Sequence, residues 1–138
     1  MAIGLNKALK GCVDGLGGPN ETNLTAATYT AAGVIDTSDI LVKLNHSAGQ
    51  AMTWGDGSTT AVGGNQNNVA GRWLIIYHQN ADTNAKTVTF SGVTLTTDFN
   101  TATATVITTN AAGECVVLYG ISPTQFYVVL NIGGAVLS

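Results

Sequence analysis

Residues 113–138 read GECVVLYGISPTQFYVVLNIGGAVLS, a stretch in which two apolar runs flank a short connection at residues 121–124. Alternation in the first run makes both faces of a strand apolar, and the second run repeats the pattern. The connection contains Ser-Pro-Thr, which favours a hairpin. Because an antiparallel sheet usually keeps one face in water, the second face needs cover from a second sheet or another subunit. In the second strand, one side is predicted to carry Phe126, Val128, Leu130 and Ile132, and the other Tyr127 and Val129.

The rest of the chain predicts further short strands and little helix. The runs are separated by turn sequences rich in Gly, Asn and Asp. This pattern predicts an all-β fold, either an antiparallel β-sandwich or a jelly-roll-like barrel of about eight strands. The predicted strands before residue 113 are 27–35, 40–45, 51–54, 72–78, 86–91, 93–96 and 103–108.

Composition limits the classes of partner. The 138 residues fit one domain, and only 9% of them are charged, against about 25% in ordinary soluble domains. Such a neutral surface, built from hydroxyl and amide side chains, suits a crowded protein assembly. The net charge of −3 and the lack of a basic cluster argue against nucleic-acid binding, which needs Lys and Arg to neutralise phosphates.

The first 20 residues differ from the remainder, so the chain divides into an N-terminal arm (1–20) and a β-sandwich domain (21–138). Apolar residues recur in the arm at spacings typical of one helical face, while several glycines weaken a long helix. We expect a short helix or an arm that docks on its own domain or on a neighbour. Two lysines interrupt its apolar stretch and no run reaches about 20 apolar residues, which predicts a soluble protein made in the cytoplasm, with no signal peptide and no membrane partner.

Residues capable of catalysis are few. His46 and His78 each end an apolar run and are expected at the surface, without a metal cluster around them. Asp36 and Asp39 are expected to cap backbone amides in a turn. We therefore predict no enzyme activity and no cofactor.

The two cysteines, Cys12 and Cys115, are expected to be reduced thiols, because a disulfide framework normally uses more cysteines. The long polar loop at residues 55–71 contains Asp56, which we interpret as a turn residue because further carboxylates at calcium-loop spacing are missing.

Aromatic residues offer a binding alternative, since exposed rings can stack on a sugar. Trp73 leads into a continuous apolar run and is expected in a central strand. Trp54 borders the polar loop and is the ring expected to be exposed.

Three segments carry a resemblance to a known family: DILVKLNHSAGQAM from residue 39, RWLIIYHQNADTNAKTVTFSGVTL from residue 72, and AAGECVVLYGISPTQFYVVLNIGGAVLS from residue 111. Together they resemble the tailed-bacteriophage proteins that decorate the virion head. The resemblance implies a β-sandwich or jelly-roll module that trimerises on the capsid lattice and stabilises the expanded shell. The implied partners are the major capsid protein and further copies of the chain, and the implied location is the capsid surface of the virion. Related modules occur in tail fibres, so an adhesion module that binds a host-surface carbohydrate is the alternative.

Two groups of residues follow as predicted contacts in such an assembly. The side of the terminal hairpin that faces another subunit is predicted to carry Val116, Leu118, Tyr127 and Val129. The arm is predicted to contact the capsid or a neighbouring chain through Ile3, Leu5, Leu9 and Val13.

Overall fold

A computed structural model describes residues 25–54, 68–97 and 103–138, and these residues form strands and turns with no helix. The predicted arm and Asp56 lie outside the described residues. The strands are β1 (Thr25–Tyr29), β2 (Gly33–Ile35), β3 (Asp39–Leu44), β4 (Gln50–Trp54), β5 (Trp73–His78), β6 (Lys86–Phe90), β7 (Thr94–Thr96), β8 (Val106–Thr109), β9 (Cys115–Ser122), β10 (Gln125–Ile132) and β11 (Val136–Leu137).

The strands form two sheets that pack face to face, which confirms the predicted β-sandwich. One sheet has six strands in the order β1-β3-β5-β9-β10-β7, and the other has five in the order β11-β8-β6-β4-β2. The sheets are mixed, whereas an antiparallel arrangement was expected: among the described residues, five of the nine strand pairs are parallel.

Parallel pairing arises because the first six strands alternate between the two sheets. β1, β3 and β5 lie side by side in one sheet, and β2, β4 and β6 lie side by side in the other. Each chain crossover therefore runs through the opposite sheet instead of through a helix, and three two-strand turns stack as in a short β-solenoid. The later strands pair antiparallel: β9 pairs with β5 in the six-stranded sheet, and β8 pairs with β6 in the five-stranded sheet.

The single strand predicted over residues 27–35 is wrong, because the chain changes sheet between Tyr29 and Gly33. The buried side chain of Gln50 supports this crossing: its Nε2 donates to the carbonyl oxygens of Tyr29 at 3.0 Å and Ala31 at 2.7 Å. Two backbone acceptors next to the crossing thereby keep partners, as buried carbonyls require.

The core between the sheets contains an aromatic cluster of Trp54, Phe90 and Phe126, with ring centroids 5.8–6.0 Å apart. Only 1% of Trp54 is exposed, so the prediction that this ring is exposed is wrong. Trp54 is the last residue of β4, and its side chain lies on the core side of the strand, where its ring packs against β6 and β10. Trp73 does lie in a central strand, but its side chain points to the outside of the six-stranded sheet and is half-buried.

The terminal hairpin of β9 and β10 forms as expected, with antiparallel pairing from Ser122 and Gln125 onward. Its register places Val128 opposite Leu118, whereas Leu130 lies opposite Val117. Val129 is therefore an extra residue in β10, and this β-bulge reverses the alternation of the strand. As a result, Leu130 and Ile132 lie on the outer side with Tyr127 and not on the core side with Phe126, as the regular alternation predicts.

Candidate functional site

The outward side of the six-stranded sheet carries three rows of side chains, aligned across neighbouring strands by the register. We call this surface the outer face. Its side chains are all half-buried or exposed. The first row is Trp73, Tyr119 and Tyr127; the second is Leu41, Ile75, Val117 and Leu130; the third is Lys43, Tyr77, Cys115 and Ile132.

The first row is aromatic. The rings of Trp73 and Tyr119 lie 4.9 Å apart at an angle of 54°, and Tyr127 is the cross-strand partner of Tyr119 on the next strand. Aromatic cross-strand pairs stabilise a sheet, and here they also present a row of π surfaces to the outside.

The outer face is large and almost uncharged. Lys43, at one corner, is its one charged residue. Four strands and three rows give a grid of roughly 14 Å by 14 Å between the outermost Cα atoms. With side-chain margins, the outer face covers on the order of 400 Å², comparable to the largest apolar patch on a typical monomer, and such patches are often functional.

Among the described residues, β7 covers only part of the edge of the outer face at β10. β7 pairs with β10 only at Gln125, Phe126 and Tyr127, and beyond them Val129, Leu130 and Ile132 are 39%, 52% and 53% exposed. Exposed edge strands usually carry Lys or Pro, which prevent pairing with other chains, and β10 has neither. The bulge at Val129 is the one protective feature in this strand.

Two of the four predicted subunit contacts lie on the outside of the sandwich, and their role as contacts stays a prediction. Tyr127 belongs to the outer face and Val129 lies exposed beside it. Val116 and Leu118 are wrong as subunit contacts, because both are 0% exposed in the core of their own sandwich. The predicted arm contacts Ile3, Leu5, Leu9 and Val13 lie outside the described residues.

The two aliphatic positions at the centre of the outer face, Ile75 and Val117, were not singled out from the sequence. Their signal was present, because WLIIYH in β5 is apolar on both faces in the same way as β9. Finding it required the pairing of β5 with β9, which brings the two outward faces together.

A second cluster is polar and buried. His78 is 0% exposed, so the prediction of a surface histidine is wrong. Its Nε2 lies 3.3 Å from Oδ1 of Asp82, and its Nδ1 lies 3.1 Å from Oγ1 of Thr109. Lys86, also 0% exposed, donates from Nζ to both Asp82 oxygens at 3.0 and 3.1 Å and to the carbonyl of Ala48 at 2.7 Å.

These contacts hold the connection between β5 and β6 against the ends of β5, β6 and β8, because Asp82 in the connection bonds to His78 and Lys86, and His78 bonds to Thr109. The lysine and the histidine are both enclosed and have hydrogen-bond partners. Only Asp82, with 16% of its side chain exposed, reaches the surface. Buried charges of this kind are tolerated when they are paired and hydrogen-bonded. Asp82 is therefore the one group of the cluster that solvent reaches, and both of its carboxylate oxygens accept hydrogen bonds from Lys86.

We predict an acid-sensitive contribution to stability from Asp82. Desolvation raises the pKa of Asp82, but hydrogen bonds from Lys86 and the Asn84 amide outweigh it and hold the pKa below its ordinary value. This stabilisation is present above the unfolded-state pKa of about 3.9 and is lost as the pH falls through the lower folded-state pKa. Urea denaturation between pH 5 and pH 2 should show a shallower loss of stability in Lys86→Met than in the parent; equal slopes would contradict the assignment.

The turn between β2 and β3 behaves as predicted for Asp36, which accepts hydrogen bonds from the Ser38 amide at 2.9 Å and the Ser38 hydroxyl at 2.8 Å. Asp39 has a different role, because its Oδ2 accepts a 2.6 Å hydrogen bond from the hydroxyl of Tyr29. Arg72 completes this corner by donating from Nη2 to the carbonyl of Thr37.

Tyr29 should titrate above the ordinary pKa of a tyrosine. Burial, followed by its hydrogen bond to Asp39, raises the pKa of Tyr29 to about 12. The stability this adds is complete below the unfolded-state pKa of about 10 and is lost as the pH rises through 12. An alkaline absorbance titration should show a late tyrosine transition near pH 12 that is absent in Tyr29→Phe. A late transition that persists in that variant would contradict the prediction.

No group of three or more His, Cys, Asp or Glu residues in residues 25–54, 68–97 and 103–138 is placed to hold a metal ion. The described part of the chain also has no helix long and apolar enough to cross a membrane. Cys115 is a free thiol on the outer face, and burial raises its pKa.

Comparisons with known proteins found no match for this chain. No protein-family model matches the chain, no curated protein matches it, and no solved structure matches its fold.

Proposed function

We propose that this chain is a non-enzymatic structural protein of the virion, which binds the outer surface of a bacteriophage capsid and stabilises the shell. The observation that carries the proposal is the outer face, an apolar sheet surface of on the order of 400 Å² that no described residue covers. Its segments are also those in which the sequence resembles head-decoration proteins.

The size of the outer face fits a contact that is repeated many times. A stable interface between two proteins usually buries about 800 Å² on each partner, roughly twice the area of this face. One copy would therefore bind weakly, whereas copies joined as a homotrimer would bind a lattice of major capsid protein through several contacts at once. Multivalency supplies the affinity that a single face lacks.

The low charge supports a protein partner. With 9% charged residues and a net charge of −3, the chain lacks the basic surface that nucleic acid requires. Lys43 is the one charge on the outer face, so little desolvation of ions opposes burial of that surface.

An adhesion module is the second candidate, and the aromatic row favours it. Trp73, Tyr119 and Tyr127 form a nearly linear series on three adjacent strands, an arrangement on which the apolar faces of sugar rings can stack. In this alternative, the protein belongs to a tail or fibre and binds a host-surface carbohydrate.

Co-sedimentation separates the two candidates. The protein is mixed with expanded capsids that lack it, with and without saturating free sugars, and separately with host-surface glycans. Decoration predicts capsid binding that sugars do not affect; binding to glycans alone would overturn it.

A matched pair of variants tests the role of the outer face. Ile75→Asp places a charge at the centre of the outer face and should weaken capsid binding at least tenfold. Thr89→Asp places the same charge at an exposed position of the other sheet and should leave binding unchanged. Circular dichroism would establish that both variants are folded.

A further inference from the structure

The outer face has about the size of the largest apolar patch on a typical monomer, and such patches are often binding surfaces. We propose that residues 3–16 of the same chain cover the outer face before assembly, and that a capsid or a neighbouring subunit must displace them. The displacement step rests on the proposed function; the covering of the outer face does not.

The segment has the chemistry that the face requires. Six of its seven apolar residues recur at spacings that place them on one side of a helix, while Ile3 falls on the other side with the charged residues. An apolar side without charge complements a face whose one charge, Lys43, lies at a corner. The seven are Ile3, Leu5, Ala8, Leu9, Cys12, Val13 and Leu16.

The chain connection brings the segment within reach. β1, which begins at Thr25, is the edge strand of the same sheet, and Ala26 lies beside Leu41 in the second row. The centre of the outer face, between β5 and β9, is about 12 Å from β1 at the usual strand spacing. Residues 17–24 connect the segment to β1, and eight residues can span at most about 26 Å.

This tether also favours the chain's own segment over a second copy. Two binding groups joined by a short stretch of chain meet at an effective concentration of about a millimolar. At micromolar protein, a second molecule competes at about a thousandfold disadvantage for the same apolar face. The intramolecular contact is therefore the expected one in dilute solution.

The two native cysteines provide a direct test, because Cys12 lies in the segment, Cys115 lies in the third row, and the chain has no others. Treatment of the dilute full-length protein with a short bis-maleimide should give an internally cross-linked monomer, identified by peptide mass spectrometry. A Cys115→Ser/Val34→Cys variant moves the second thiol to an exposed site on the other sheet and should lose at least four-fifths of this product. A cross-linked dimer, or equal yields in the two proteins, would overturn the proposal.

Fluorescence gives a second readout that needs no cross-link. In a Trp54→Phe background, which removes the core ring, Trp73 is the sole tryptophan and reports on the outer face. Leu5→Asp/Leu9→Asp should raise acrylamide quenching of Trp73 at least twofold, and unchanged quenching would overturn the proposal. Capsid binding is measured on the same variant in the parental background: binding at least as strong as the parent supports displacement, whereas weaker binding overturns displacement and favours the arm as an anchor.

The outcomes for the two proposals are distinguishable. If neither the parent nor the variant binds capsids while the internal cross-link forms, the proposed function fails and the covering of the outer face stands. If the parent binds capsids while the cross-link does not form, the covering fails and the proposed function stands.

Discussion

Replacing Gly120 with alanine is expected to abolish folding of the sandwich. Gly120 lies inside β9, and a Cβ built on it would fall 1.6 Å from the carbonyl oxygen and 2.4 Å from the carbonyl carbon of Val69. The backbone of residues 69–72 is fixed at this point, because the Gly71 amide donates to the Gly120 carbonyl and the Gly120 amide donates to the Arg72 carbonyl, both at 2.8 Å. Relief of the clash would therefore require breaking a strand contact.

The expected loss exceeds about 3 kcal/mol, since overpacking against side chains alone usually costs 1–3 kcal/mol and here the obstacle is backbone. Gly33→Ala is the matched control: Gly33 is also a strand glycine, and its Cβ would meet no atom within 4 Å. This control should change the free energy of unfolding by less than about 1 kcal/mol. Urea denaturation of both variants measures the difference. A stable, cooperatively unfolding Gly120→Ala protein would show that the close approach of the Val69 carbonyl to Gly120 is misplaced.

The sequence was sufficient for the parts of the fold that depend on local alternation. The strands of the terminal hairpin are apolar on both faces, and this pattern correctly indicated that one face enters a core. That the other face needs a partner stays a prediction. The hairpin connection at residues 121–124 was equally local, because Ser-Pro-Thr favours a turn wherever the strands go.

Features that depend on contacts between distant segments were not predictable in the same way. Parallel pairing of β3 with β5 joins strands that are separated in the sequence by β4 and residues 55–72, and no local pattern distinguishes a parallel from an antiparallel neighbour. The bulge at Val129 depends on how β10 registers against β9, and this register decides which side of the sheet Leu130 occupies.

Burial of His78 illustrates the same limit for a candidate site. Asp82 and Lys86 follow at intervals of four residues, so the ionic partners were near in sequence. Their contact requires the turn between β5 and β6 to fold back, and the last partner, Thr109, comes from β8. The position of His78 at the end of a strand predicted that it would be exposed. Packing between distant segments instead buries it in a hydrogen-bonded network.

Two leucines in the terminal hairpin test which face of its sheet stabilises the fold and which face binds a partner. Leu118 in β9 is 0% exposed and points into the core, whereas Leu130 in β10 is 52% exposed on the outer face. Leu118→Ala should lower the free energy of unfolding by about 3 kcal/mol, as for other buried leucines that leave a cavity. Leu130→Ala should lower it by less than about 1 kcal/mol, because water already reaches most of that side chain.

A charged substitution at Leu130 tests assembly separately from stability. Leu130→Asp should remain folded, since the new carboxylate is solvated, but it should weaken capsid binding or self-association at least tenfold by placing a charge where an apolar contact forms. Leu118→Ala at a temperature where it is still folded should bind as the parent does. Thermal denaturation and co-sedimentation on the same preparations measure both properties. If Leu130→Asp binds normally while Leu118→Ala loses binding in its folded state, the outer face is not the assembly surface and the interaction must lie elsewhere on the molecule.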